Sequence, residues 1–186
     1  MIEIELFATE EGITDISLVE YPAIESNWMC FAKDVKMYFA DDERHIITGA
    51  VLIPDKRIYR NDENGEYDVF FSKDTIRSIA EKFLQNFKNK SFTLEHMDNT
   101  NDVTMVESWI KEYDFDKSNA IGFDLPVGTW FISAKIRNEN LWKAIKDGVF
   151  RGFSVAGMFD ARMAKSSEND SENAILEEAE DFLKEN

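Results

Sequence analysis

Phe150-Arg151-Gly152-Phe153-Ser154-Val155-Ala156-Gly157-Met158-Phe159 is an apolar run that carries a single hydroxyl between two glycines. Its large side chains alternate, so it predicts a strand, with Gly152 and Gly157 leaving room for another backbone to come close. A serine in that setting is either a small packing residue or a nucleophile. What separates the two is a base that the fold brings to it, so the surrounding chain decides.

Immediately upstream, residues 139–147 predict a short helix with Leu141, Trp142 and Ile145 inward and Gly148 as its stop. Before it, a strand from Thr129 to Arg137 turns Trp130, Ile132, Ala134 and Ile136 to one face, after a long loop from Asp114 to Gly128. Strands at 91–95 and 103–113 flank a polar turn, Met97 to Asp102. The preceding helix opens at Ser72, a candidate cap, and carries Ile76, Ile79, Ala80, Phe83, Leu84 and Phe87 on one stripe. Its other face is charged, the pattern of a helix that covers a sheet.

Asn61-Asp62-Glu63-Asn64-Gly65 predicts a tight hairpin, because Asn-Gly supplies positive φ angles, and a strand at 66–71 should follow. Strands at 35–40 and 45–53 are separated by Asp41-Asp42-Glu43. Nearest the start, Ile2 to Phe7 and Ile13 to Tyr21 read as two strands joined by a turn at Glu10-Glu11-Gly12, the second stopped by Pro22. This strand-rich order, with two core helices and no internal repeat, predicts an α+β fold built on a mostly antiparallel sheet or barrel.

The 186 residues are enough for one domain with a sizeable core, and the 44% hydrophobic share, with fifteen Phe, marks a globular chain. After Phe159 the composition shifts to a hydrophilic linker, Lys165 to Ser171, and an acidic amphipathic segment, Ala174 to Leu183. The expected organisation is a domain over 1–160 and an acidic linker and tail helix over 161–186. With 37 acidic and 21 basic residues, the net charge of −16 disfavours a nucleic-acid partner. No run reaches membrane-spanning length, and Met1-Ile2-Glu3-Ile4-Glu5 lacks a signal-peptide pattern, so a soluble intracellular protein is expected. The lone cysteine, Cys30, sits among Trp28, Met29 and Phe31, where an inert buried thiol is expected.

Only two histidines are available as a general base. His96 ends a predicted strand, where a rigid element hands a side chain to a loop, whereas His45 opens a strand beside Glu43 and Arg44 and suits an exposed strand end. A Ser–His pair also needs an acceptor that fixes the imidazole tautomer, and Asp15, Glu95, Asp98, Asp102 and Glu107 are all candidates. Asp15 stands inside an otherwise apolar strand, where an unpaired carboxylate is costly; with Ser17 on the same side, that side also reads as a solvated face.

Other chemistries fit poorly. Glu95-His96-Asp98-Asp102 lacks a second histidine or a CxxC for zinc, and Asp114 to Leu125 lacks the glycine and the terminal acid of a calcium loop, so no metal is expected. Gly157, the second glycine of the Gly152–Gly157 stretch, comes one residue too late after Ser154 for an esterase elbow, and no phosphate-binding glycine loop occurs, so no cofactor is expected either.

Six stretches in order resemble the prohead (head maturation) serine proteases of tailed phages, in their XkdF-like branch. They are Ile16-Ser17-Leu18-Val19-Glu20-Tyr21-Pro22-Ala23, Thr48 to Lys56, Thr93-Leu94-Glu95-His96, Val106 to Ile110, Gly122 to Trp130, and Gly152-Phe153-Ser154-Val155. The resemblance implies Ser154 as nucleophile and His96 as base. In the usual prohead proteases an acidic residue precedes a Ser-Leu-Val-like stretch placed after the serine. Here the similar stretch, with Asp15 ahead of it, lies at the front of the chain, as in a circular permutation. A permutation keeps spatial neighbours together, so Asp15 is the expected third member, ahead of Glu107. The assemblins of herpesviruses, similar in fold, use a second histidine, which here is His45.

The resemblance further implies a compact, distorted antiparallel β-barrel with a few surrounding helices. It implies a serine endopeptidase that processes the phage scaffolding protein, the major capsid protein and itself inside the assembling procapsid, in the bacterial host cytoplasm. Backbone amides near Ser154, with Arg151, would stabilise the oxyanion. Self-association is compatible with that role. A catalytically silent assembly or scaffold-binding protein that keeps the fold is the alternative.

Overall fold

The computed structural model describes residues 2–20, 43–62 and 65–163; the strand expected at 35–40, Cys30 and the tail from 164 onward lie outside them. The chain begins with one long strand, β1 (Ile2–Val19), in place of the two strands expected there. Gly12, at φ 63, does not turn the chain back; it bends the strand, and the pairing register shifts between Ala8 and Ile13 and again between Ile13 and Asp15. The Thr9 hydroxyl serves this irregularity, accepting the Gly12 amide at 3.2 Å and donating to the Met158 carbonyl at 2.9 Å. A hairpin fails here because each half of β1 has a better partner elsewhere.

Those partners build a mixed sheet. The first half of β1 runs parallel to β4 (Gly65–Phe71), which closes a hairpin with β3 (Ile58–Asp62). The second half runs parallel to β5 (Phe92–Leu94), with Ile16 opposite Phe92 and Leu18 opposite Leu94. The other edge of β1 pairs antiparallel with β9 (Gly152–Met163), the strand read first from the sequence. A short strand, β6 (Asp98–Thr100), pairs with β5 where a polar turn was expected. Ile16, Leu18, Phe92 and Phe153 share the inward face and are buried; burying side chains of this size contributes roughly 1.5–3 kcal/mol each.

A second, antiparallel sheet has the order β2 (Ile46–Leu52), β8 (Trp130–Ile136), β7 (Val103–Ile110). Central strand β8 is buried on both faces, because Phe131 on the second face stacks on Trp109 at 5.1 Å. The helix α1 (Lys73–Gln85) is capped by Ser72, whose hydroxyl accepts the Thr75 amide, and buries Ile76, Ile79, Ala80 and Phe83. Phe83 meets Trp130 edge-on at 5.8 Å. The stripe is narrower than expected: Leu84 is 44% and Phe87 89% exposed, because the helix stops at Gln85 and Phe87 turns out at φ 55.

The loop 114–128 contains a single helical turn, α2 (Lys117–Ala120), held by an Asp116 capping box. The helix α3 (Glu139–Lys146) buries Trp142 and Ile145, and Gly148 at φ 77 donates to the Ile145 carbonyl just past its end.

The fold is therefore α+β, mostly β-sheet with a few helices, but the described residues do not form the expected closed antiparallel barrel. Among the described residues the sheets stay open and mixed, since both β4 and β5 join β1 in parallel and no strand pairing links the two sheets. No described helix is long and apolar enough to cross a membrane.

Candidate active site

Ser154 lies on β9 directly opposite Ser17 on β1, and Ser17 in turn lies opposite Thr93 on β5. Cross-strand partners project to the same side of a sheet, so three hydroxyls form one row over the face opposite Ile16, Leu18, Phe92 and Phe153. Ser17 is completely buried, Thr93 is buried with its hydroxyl unpartnered among the described residues, and Ser154 at the end of the row is half-buried. The outer position in the row thus belongs to the serine that carries the proposed chemistry.

His96 reaches this row from a tight turn. Leu94 to Met97 closes with the Met97 amide on the Leu94 carbonyl at 3.0 Å, and both central residues have positive φ, 50° at Glu95 and 58° at His96. This is the pattern of a type I′ hairpin turn, which Asn-Gly normally fills. Left-handed backbone costs a residue with a side chain about 1–2 kcal/mol.

Three hydrogen bonds to β1 and the residue after it hold the turn in place. The Glu95 amide donates to the Leu18 carbonyl at 3.0 Å, the His96 amide to the Ser17 hydroxyl at 2.9 Å, and the Glu20 amide to the Glu95 carboxylate at 2.7 Å. At about 1 kcal/mol each they are of the size needed to offset the strain. Strain held in this way by its surroundings is characteristic of functional positions.

The His96 side chain is exposed, and no hydrogen bond joins the side chains of Ser154, His96 and Asp15 in this structure. Asp15 shares the outer face of β1 with Ser17 and pairs with Ala156, one face-sharing step from Ser154. Diagonal neighbours of this kind sit roughly 7–8 Å apart. Ser17, which the sequence reading puts on a solvated face, is instead completely buried and accepts the His96 amide, a contact that reading missed. Its signal is a lone hydroxyl between the buried residues Ile16 and Leu18.

Three of the rival third members, Glu107, His45 and Glu95, are engaged elsewhere. Glu107 lies on β7 in the other sheet, paired with Lys117 and accepting from Ser133 at 3.0 Å. Burial pushes its carboxyl up, but the bonds from Lys117 and Ser133 outweigh that and hold it below the ordinary value. His45 stacks on Trp142 at 4.8 Å, with Nδ1 4.0 Å from Glu139. Glu95 is taken up by the Glu20 amide. Arg151 donates through Nε to the Gly148 carbonyl at 3.2 Å, so its guanidinium is turned to the end of α3.

Backbone direction supplies another donor. Ile16 and Leu18 bond to the β5 side, through the Ser91 carbonyl and the Glu95 amide, so the groups of Ser17 face β9 and pair with Ser154. By alternation the amides of Phe153 and Val155 point to the opposite edge of β9. That edge borders a cavity of about 530 Å³, lined by Val51, Ile58, Tyr67, Val69 and Phe159 together with Ser154 and Val155. Arg60 is its cationic lining residue. Among the described residues no group of acidic, histidine or cysteine side chains is arranged to hold a metal ion.

The chain is 26% identical over 154 residues to "Uncharacterized protein YqbD" of Bacillus subtilis (strain 168), which covers 78% of this chain. It spans 44% of the length of that relative. No solved structure matches. The family model described as "Putative phage serine protease XkdF" matches residues 34–163, a span that takes in His96 and Ser154 and leaves Asp15 and Ser17 outside. That span is well over half of the chain, and the chain belongs to this phage serine protease family.

Proposed function

We propose that the protein is a serine endopeptidase of phage head maturation, with Ser154 as nucleophile, His96 as general base and Asp15 as the group that orients His96. The observation that carries this reading is the meeting of Ser154 and the His96 turn at Ser17: one pairs with it across the sheet, and the other is hydrogen-bonded to its hydroxyl. In the reaction His96 takes the Ser154 proton as Oγ attacks a peptide carbonyl, and then returns it to the leaving amine. Water, activated by the same imidazole, releases the acyl group. The Val155 amide, directed to the outer edge of β9, is the donor suited to the oxyanion, in place of Arg151. The adjoining cavity, mostly apolar with Arg60 on its wall, suits a large side chain of the peptide.

Asp15 enters this scheme through the fold. Ile16 to Val19 lie beside Gly152 to Val155, the serine included, so this neighbourhood is the same whichever segment comes first in the chain, which supports a circular permutation of the usual prohead proteases. The substrates are the scaffolding protein, the major capsid protein and the chain itself, cleaved inside the procapsid in the host cytoplasm. Co-expression with the scaffolding and capsid proteins tests the reading. Processing by the wild type that is lost in Ser154→Ala and His96→Ala supports it, and uncleaved scaffold in assembled heads overturns it.

The absence of a hydrogen bond among the three side chains favours a second reading, an assembly protein that retains the fold without the chemistry. In that case the alanine variants assemble heads as the wild type does.

A further inference from the structure

We propose that Ser17 is a positioning residue that locks the general base to the nucleophile strand; this rests on the reading of Ser154 and His96 given above. Its hydroxyl is completely buried and sits where three elements meet. It accepts the His96 amide at 2.9 Å, donates to the Thr93 carbonyl at 3.3 Å, and its α-carbon faces that of Ser154. One short side chain therefore spans the base-bearing turn, the strand that leads into it and the strand of the nucleophile.

The residue type follows from these demands. A buried hydroxyl costs free energy unless it is hydrogen-bonded, so an aliphatic residue would be the simpler choice between Ile16 and Leu18. Only a small side chain that both donates and accepts can serve the Thr93 carbonyl and the His96 amide from one atom. The turn needs the acceptor, because its two left-handed residues are strained. Without it the His96 amide is unsatisfied beside the sheet and the turn is free to relax, carrying the imidazole away from Ser154. Ser17 touches neither substrate nor the reacting atoms; it acts through His96.

The test uses the full chain and a fluorophosphonate probe, which reports the nucleophilicity of Ser154, together with amide hydrogen exchange. In Ser17→Ala the His96 amide is expected to exchange at least tenfold faster. Labelling of Ser154 should slow about tenfold or more without a rise in the half-saturating probe concentration, and Ser17→Thr should restore part of the rate. In a His96→Ala background Ser17→Ala should have no further effect, which a purely structural role would not produce. If Ser17→Ala does not fold, Ser17→Cys takes its place, being close in size but a weak acceptor.

Labelling that requires Ser154 and His96 but is indifferent to Ser17→Ala overturns this proposal alone, as does an equal loss with and without His96. Absence of labelling in the wild type, or labelling that survives Ser154→Ala, overturns the protease reading and this proposal with it.

Discussion

Gly157 on β9 packs against Ile13 on β1 so closely that a β-carbon on the glycine would lie 2.6 Å from the Ile13 α-carbon and 2.7 Å from the Gly12 carbonyl oxygen. Both obstacles are backbone and cannot rotate away. Gly157→Ala is therefore expected to destabilise the fold by about 1–3 kcal/mol, the usual cost of overpacking. Chemical denaturation measures the loss, and an unchanged midpoint would mean that the two strands are not in this contact.

At His96 stability and activity should move in opposite directions. Glycine adopts the left-handed conformation freely, so His96→Gly is expected to gain roughly 1 kcal/mol from relief of the turn while losing all processing. Thermal unfolding and a processing gel on the same variant check the two halves of the prediction.

The lowered Glu107 carboxyl gives a pH dependence with a definite sign. Its folded pKa lies below the ordinary 4.5, so its contribution to stability is complete above that value and is lost as pH falls through the folded pKa. Glu107→Gln keeps an acceptor for Ser133 and loses the ion pair with Lys117. Because both partners are nearly half exposed, the difference from wild type should be no more than about 0.5 kcal/mol near neutral pH and should vanish in acid. Urea midpoints measured across pH 2–7 would show it; the range is chosen as roughly that over which a carboxylate titrates.

Two phenylalanines on the predicted helix stripe should respond very differently. Phe83 is buried against Trp130, and Phe83→Ala is expected to cost about 3–5 kcal/mol. Phe87 is 89% exposed, and Phe87→Ser should change stability by less than about 0.5 kcal/mol. Equal losses would restore the wider stripe that periodicity suggested.

These contrasts show which parts of the fold were legible. The helix α1, its Ser72 cap and the apolar strand β8 carry their own periodicity, so local pattern was enough to find them. Gly157 was also legible, since a glycine in a strand interior signals close approach. The single strand β1 was not, because the usual turn signal of Glu-Glu-Gly is overridden by partners far along the chain, at Tyr67 to Phe71 and Phe92 to Leu94. Asp98-Asn99-Thr100 has no apolar residue to announce β6 and exists through pairing with β5. A barrel was expected from the strand-rich order and from the resemblance, whereas among the described residues β1 pairs in parallel with β4 and β5 and the sheets are open and mixed.

At the site, the scarcity of histidine singled out His96, and resemblance singled out Ser154. The resemblance covers Ser17 but gives it no role; the role proposed for it depends on a hydrogen bond from the His96 amide, which the lone hydroxyl between Ile16 and Leu18 does not by itself announce. Asp15 was legible as an oddity, a carboxylate in an apolar strand, and the structure puts it on the face that the row of hydroxyls occupies.

The β1–β9 ladder also sets a time at which the site can come into being. It joins residues as far apart in sequence as Ile4 and Met163, and β1 carries the hydroxyl that anchors the His96 turn. Such non-local pairing is slow to form and needs both strands to be available. The early strand β1 must wait for β9, so the Ser154 face does not exist until both have been made. Whatever this face does, it begins only once β1 and β9 have both been made and have paired.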